Sequence, residues 1–187
     1  LNLNNKINLI KLKTYFLNDD YEKLNQLNIP KFNLKNPTLL YPGCGVDIFM
    51  PLIYLEKLFD VKEANFIFVD TENTLGIIKT SLNDVDISFT ESKSQLNFYW
   101  NSILIHLQFI QADISKITLP YFNVYFERAF RIMKTRIPNY ESFILDQLTT
   151  NSVIIADSGF EQLKQKTIVS GLGSYDDLIL AKVTTFK

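Results

Sequence analysis

Two glycines one residue apart, Gly43 and Gly45, stand between a short apolar run and a segment of helical periodicity, in the order Tyr41-Pro-Gly-Cys-Gly-Val-Asp47. Glycine lacks the Cβ that holds a ligand off the main chain, so such a loop lets backbone come close to a bound molecule. A helix opening directly behind the loop begins beneath that molecule, and Asp47 stands in a natural capping position. Strand, glycine loop and helix in this order form the floor of a nucleotide-like cofactor site in open parallel sheets. Cys44 lies inside the loop, where a helix N-terminus can lower a thiol's pKa. Its small size is the simpler reason for its presence. A second chemical cluster lies downstream. All three arginines of the chain, Arg128, Arg131 and Arg136, fall within ten residues of Phe126. Guanidinium groups suit bidentate recognition of carboxylate or phosphate and stack on planar rings. Arg128 and Arg131 are therefore expected to border a site for an anionic or planar substrate, and Glu127 is the nearest general base. The bland alternative is a solvated turn whose arginines pair with nearby acids. His106, the single histidine, shares a face with Leu104, Gln108 and Ile110 and reads as structural.

The elements that must position these groups follow from periodicity. Residues 1–36 read as a helical extension, with Ile7, Ile10, Leu12 and Phe16 on one face and Tyr21, Leu24 and Leu27 on another. It is expected to cap the sheet or border the site. From residue 38 strands and helices alternate, which predicts a doubly wound, mainly parallel sheet over 37–187. Strand one is expected over 38–41, its helix over 48–59, strand two over 65–70, and a helix capped by Thr71 or Asn73 over the next turns. Residues 95–100 and 103–110 flank Asn101-Ser102 and predict an additional β-hairpin, with Trp100 at its tip. A strand over 122–126, a helix over 138–148, a strand over 152–156 and an antiparallel pair around Gly171–Gly173 complete the pattern.

Composition bounds the class. The chain has 187 residues, 47% hydrophobic and 21% charged, as expected of one ordinary globular domain. No apolar run reaches the roughly 18 residues needed to span a bilayer, and no signal-like segment opens the chain, so a cytoplasmic protein is expected. The first residue is Leu rather than Met, consistent with a truncated chain. One cysteine excludes an internal disulfide, and one histidine leaves little material for a metal site, so none is expected. A net charge of −1 gives no field that would draw nucleic acid.

Taken together, the loop 41–47 and the strand order resemble motif I and the Rossmann-like fold of the class I S-adenosylmethionine-dependent methyltransferases, over roughly residues 37–187. The resemblance implies S-adenosylmethionine as cofactor, held by Tyr41, Pro42, Gly43, Cys44, Gly45, Asp47, Asp70, Thr71, Asp113 and Ile114. It implies that Asp70 accepts the ribose hydroxyls, that Asp113 meets the adenine amino group, and that Ile114 covers the base. Asp47 would hold the methionine ammonium or cap the helix. Two positions depart from the family: Tyr41 stands where an acid is usual, and Asp47 where a third glycine is common. The dinucleotide pattern fails at Ile48, which disfavours NAD, and no Walker lysine follows the loop.

The expected activity is methyl transfer to a small-molecule acceptor. The strand-four segment lacks the Asn/Asp-Pro-Pro-aromatic signature of enzymes that methylate base amines. A binding module of the same fold that has lost chemistry is the main competitor, and an oxidoreductase a third. The 95–110 hairpin is a candidate homo-oligomer contact or lid.

Overall fold

A computed structural model describes residues 6–17, 19–26, 31–148, 151–157 and 160, and the backbone of 166–169 and 178–182. In chain order the elements are α1 (Leu9–Lys13), α2 (Asp20–Gln26), β1 (Thr38–Pro42), α3 (Phe49–Leu58), β2 (Glu63–Asp70), α4 (Leu75–Asp84), β3 (Phe89–Ser92), β4 (Gln95–Trp100), β5 (Ile103–Gln111), β6 (Val124–Glu127), α5 (Arg131–Arg136), α6 (Tyr140–Leu145), β7 (Val153–Ala156), β8 (Lys166–Val169) and β9 (Leu178–Lys182). A 3₁₀ turn, Ile114–Lys116, follows β5.

All nine strands join one sheet in the order β3-β4-β5-β2-β1-β6-β7-β9-β8. The five central strands, from β5 to β7, run parallel. Antiparallel pairs extend both edges, β3-β4-β5 on one side and β7-β9-β8 on the other. Chain order reverses between β1 and β6, and at such a switch point the loops beyond the strands diverge to leave a cleft.

Strand side chains alternate between two apolar layers. Leu39, Tyr41, Phe66, Phe68 and Phe126 face α1–α4. Leu40, Ile67, Val69 and Tyr125 face α6 and Phe130. Central strands covered on both faces read as continuous apolar runs, as 66–69 does. The first layer also takes Leu12 and Leu24, so the N-terminal segment shares the core of the sheet.

Several expectations are corrected. Ile10 is 82% exposed and leaves the face assigned to it, whereas Leu12 is buried; Leu27 and the turn 171–173 lie outside the described residues. Thr74, rather than Thr71 or Asn73, occupies the N-cap of α4. The additional hairpin is a three-strand meander, because β3 precedes it. Asn101 and Ser102 both have positive φ, 42° and 70°, as a type I′ turn requires. At its tip, Trp100 Nε1 and Asn101 Nδ2 each donate to Glu56 Oε2 at 2.9 Å, which fastens the meander to α3. His106 is held between Asn97 Oδ1 at 2.6 Å and Glu63 Oε1 at 3.0 Å, a structural role. No helix among the described residues is long and apolar enough to cross a membrane.

Candidate functional site

The glycine loop turns through two left-handed residues, Gly43 with φ +59° and Gly45 with φ +51°. Gly43 N donates to Val69 O at 2.8 Å, which keeps β1 paired with β2 to the edge of the loop. Gly45 N then donates to Asp70 Oδ2 at 2.8 Å, and the Thr74 hydroxyl donates to Gly45 O. The end of β2 and the cap of α4 thus hold the loop in shape. Asp70 also accepts from Glu72 N at 3.0 Å. A carboxylate offers about four acceptor positions, so two hydrogen bonds leave capacity for further donors.

Asp47 stands one residue before Ile48, the N-cap of α3, and is engaged by hydrogen bonds rather than standing open. Its Oδ1 accepts from Met50 N at 3.2 Å, and its Oδ2 accepts from Tyr41 Oη at 3.0 Å and Arg128 Nη1 at 2.9 Å. The ion pair crosses the switch point, tying the end of β1 to the end of β6. Burial pushes the Tyr41 hydroxyl well above its ordinary pKa, so it acts as a hydrogen-bond donor. The Cys44 thiol is likewise pushed up, first by burial and then by Asp70, which removes the reactive thiolate that its place near a helix start suggested.

Two cavities open over these residues. The larger, about 500 Å³, is lined by Gly43, Asp70, Thr71, Asp113, Ile114 and Phe130, and by Met133 and Arg136 of α5. Asp113 Oδ1 accepts from Ser115 N at 3.0 Å and Ser115 Oγ at 2.7 Å, and Lys116 lies 3.2 Å from Oδ2. The Ser115 hydroxyl, its amide and then Lys116 hold this carboxyl below the usual range. The smaller cavity, about 300 Å³, is lined by Tyr41, Cys44, Asp47 and Arg128 from the sheet and by Tyr15 and Asp20 from the N-terminal segment. Gly43 and Ala129 line both. Ala129 is a non-glycine residue at φ +53°, fixed by its amide donating to Asp157 Oδ2 at 2.7 Å.

The cofactor-site expectations thus divide between the two cavities, with Pro42 and Gly45 lining neither. The segment after β6 divides differently. Arg128 lines the smaller cavity and Arg136 the larger, while Arg131 is exposed and lines neither. Glu127 is fully buried. Tyr125 Oη donates to its Oε2 at 2.6 Å and Lys134 Nζ to its Oε1 at 3.0 Å. It therefore pins α5 to the sheet instead of facing a ligand, which corrects its assignment as a general base. Sequence reasoning missed Asp20, Ala129 and Phe130. Strand alternation from Tyr125 does place Glu127 on the inner layer; nothing in the spacing signals Asp20. Among the described residues no group of His, Cys, Asp or Glu side chains converges to hold a metal ion.

No family model and no curated protein matches this sequence. Solved structures do. The chain superposes on human N-acetylserotonin methyltransferase in complex with S-adenosylmethionine with a TM-score of 0.54, at 12% identity, over 93% of this chain and 54% of that one. It matches a mutant of MtNAS in complex with S-adenosylmethionine at 0.52, with 14% identity, over 91% and 65%. TrmN from Thermus thermophilus matches at 0.50, with 12% identity, over 88% and 48%. The chain has the class I methyltransferase fold. It spans between about half and two thirds of the length of these three proteins. Within the methyltransferase fold, the two cavities lie beyond the carboxyl ends of the parallel strands and on either side of the glycine loop.

Proposed function

We propose that the protein is an S-adenosylmethionine-dependent methyltransferase acting on a small-molecule acceptor. One observation carries the cofactor assignment: Asp70, Asp113 and Ile114, from the ends of two neighbouring parallel strands, line a single cavity together with Gly43. The donor set suits a nucleoside. Asp70 keeps acceptor capacity toward vicinal hydroxyls, Asp113 is a carboxylate toward an amino group, and Ile114 offers apolar surface to a flat ring. The bound cofactor supplies a sulfonium methyl group for in-line displacement. The residues of this chain contribute placement, which accounts for much of the rate in such transfers. The loop and Asp70 fix the nucleoside end, and Phe130, 5% exposed, walls the cleft from water. Arg128, on the opposite side of the loop, faces the neighbouring cavity. A net charge of −1 supports a small acceptor over a polyanion.

A second reading has a specific observation behind it. With Glu127 buried in an ion pair, the Glu assigned as general base lines neither cavity, and the carboxylates that line them among the described residues are Asp20, Asp47, Asp70 and Asp113. The loss of that base supports, as the second reading, a binding protein of the same fold. Thermal unfolding with S-adenosylmethionine, S-adenosylhomocysteine, NAD and ATP tests the cofactor. Ligand at about 100 times its dissociation constant adds about 2.7 kcal/mol, a rise of roughly 5–10 °C for a chain this long. The two sulfur ligands alone are expected to give it, and a response to NAD or ATP instead would overturn the assignment. Transfer of a labelled methyl group to acceptor mixtures then separates enzyme from binding protein.

A further inference from the structure

Surface helices ordinarily bury an apolar stripe and expose their charges. In α5 the arrangement is reversed, because its only buried side chain is Lys134. The Lys134 Nζ meets Glu127 Oε1 at 3.0 Å and Glu141 Oε1 at 3.2 Å, and lies 4.3 Å from the centre of the Phe160 ring. Separating a buried ion pair leaves an uncompensated charge, so this pair fixes which side of α5 meets the sheet. Ile132, 67% exposed, and Met133, about half exposed, are thereby left outside. Arg131 and Arg136 flank them, both exposed, and neither has an ion-pair partner among the described residues.

The same end of the sheet carries further exposed apolar surface. Val46 follows the carboxyl end of β1, Ile77 lies in the first turn of α4 after β2, and α5 follows β6. Tyr15 and Leu17 line the smaller cavity beside Val46, and Met133 lines the larger. All of these are about half exposed, and with Ile132 they make six of the nine exposed large apolar side chains among the described residues. The other three lie toward the amino ends of the parallel strands. Tyr121 stands just before β6, and Leu9 and Ile10 open α1 where Asn8 N donates to Val85 O at the end of α4. Single exposed apolar residues are ordinary, but a group gathered round one cleft marks a contact face. Exposed aliphatic side chains beside unpaired guanidinium groups suit an anionic lipid surface: the former enter the headgroup boundary and the latter meet phosphates. A second copy docking through this face would bring the same two cations to the contact.

We propose that the mouth of the cleft seats on an anionic lipid surface, with Leu17, Val46, Ile132 and Met133 entering the headgroup boundary and Arg131 and Arg136 meeting lipid phosphates. Docking of this kind is independent of which cofactor the larger cavity holds.

Sedimentation of the full chain with vesicles tests this, using phosphatidylcholine alone and phosphatidylcholine mixed in equal parts with phosphatidylglycerol. The chain is expected to bind the mixed vesicles, and the neutral ones at least fivefold more weakly. One arginine beside an anionic surface strengthens binding about fivefold, so Arg131→Gln is expected to lose about that factor on mixed vesicles and to lessen the salt dependence. Ile132→Ser is expected to lose about tenfold. Tyr121→Ser, which removes an exposed apolar side chain at the other end of the sheet, is expected to bind as the parent does. All three positions are exposed, so the variants should keep the parent's urea midpoint. Absence of binding to mixed vesicles overturns the proposal, as does equal binding to both vesicle types or an equal loss in Tyr121→Ser and Ile132→Ser. A chain that stays off vesicles and forms a dimer dissociated by Ile132→Ser would overturn it too, making this face a contact between copies.

Discussion

A Cβ built on Gly43 would lie 2.6 Å from Phe130 Cδ2, at a φ of +59° that L-residues rarely adopt, whereas one built on Gly45 would meet nothing within 4 Å. The same substitution therefore has two different costs. Gly45→Ala carries the left-handed strain alone, about 1 kcal/mol. Gly43→Ala adds a ring clash and is expected to lose about 2–4 kcal/mol in urea unfolding. Phe130→Leu in the same chain should recover part of it. Equal losses at the two glycines would mean the ring contact is not what Gly43 serves. The two glycines were legible in the sequence because their types carry the conformation. Tyr41 and Asp47 were legible only as separate departures from the family pattern. In the structure they are one hydrogen bond of 3.0 Å, which puts a carboxylate beside the position where the family has an acid. Spacing could not pair them, since the chain between them turns through two left-handed residues.

The meander shows which elements announce themselves. The alternation of β4 and β5 is strong because their buried residues, Leu96, Phe98, Ile105 and Leu107, fill one side of a half-covered sheet. The first strand of the meander, Phe89–Ser92, has no fully buried side chain, so no pattern marked it. Likewise α5 is six residues with only Lys134 buried, too short for a period to emerge. The turn is open to improvement. Ser102 holds a φ of 70° at the second central position of the hairpin turn, where glycine is preferred. Ser102→Gly is expected to raise stability by about 0.5–1 kcal/mol, read as a higher urea midpoint with an unchanged slope. A lower midpoint would show that the Ser102 side chain contributes something the turn geometry does not reveal.

At the scale of the molecule, the sheet and its switch point follow from the strand–helix alternation, which is why the place of the candidate cleft could be anticipated. The N-terminal segment could not be placed that way, because no glycine loop or strand fixes where it returns. Its helices put Leu12 and Leu24 into the same apolar layer as β1 and α3. Leu24→Ala, at a fully packed position, is expected to cost about 2–4 kcal/mol and to lower one cooperative transition for the whole chain. A separate early transition would show that the segment folds apart from the sheet. Once docked, that segment walls the outer side of one cavity while α5 walls the other, and Gly43 and Ala129, both with minimal side chains beside the switch point, contribute to the lining of both. A molecule that filled both basins would have to be long and thin where it passed these two residues, and a compact one of equal mass would settle in one basin and leave the other to water.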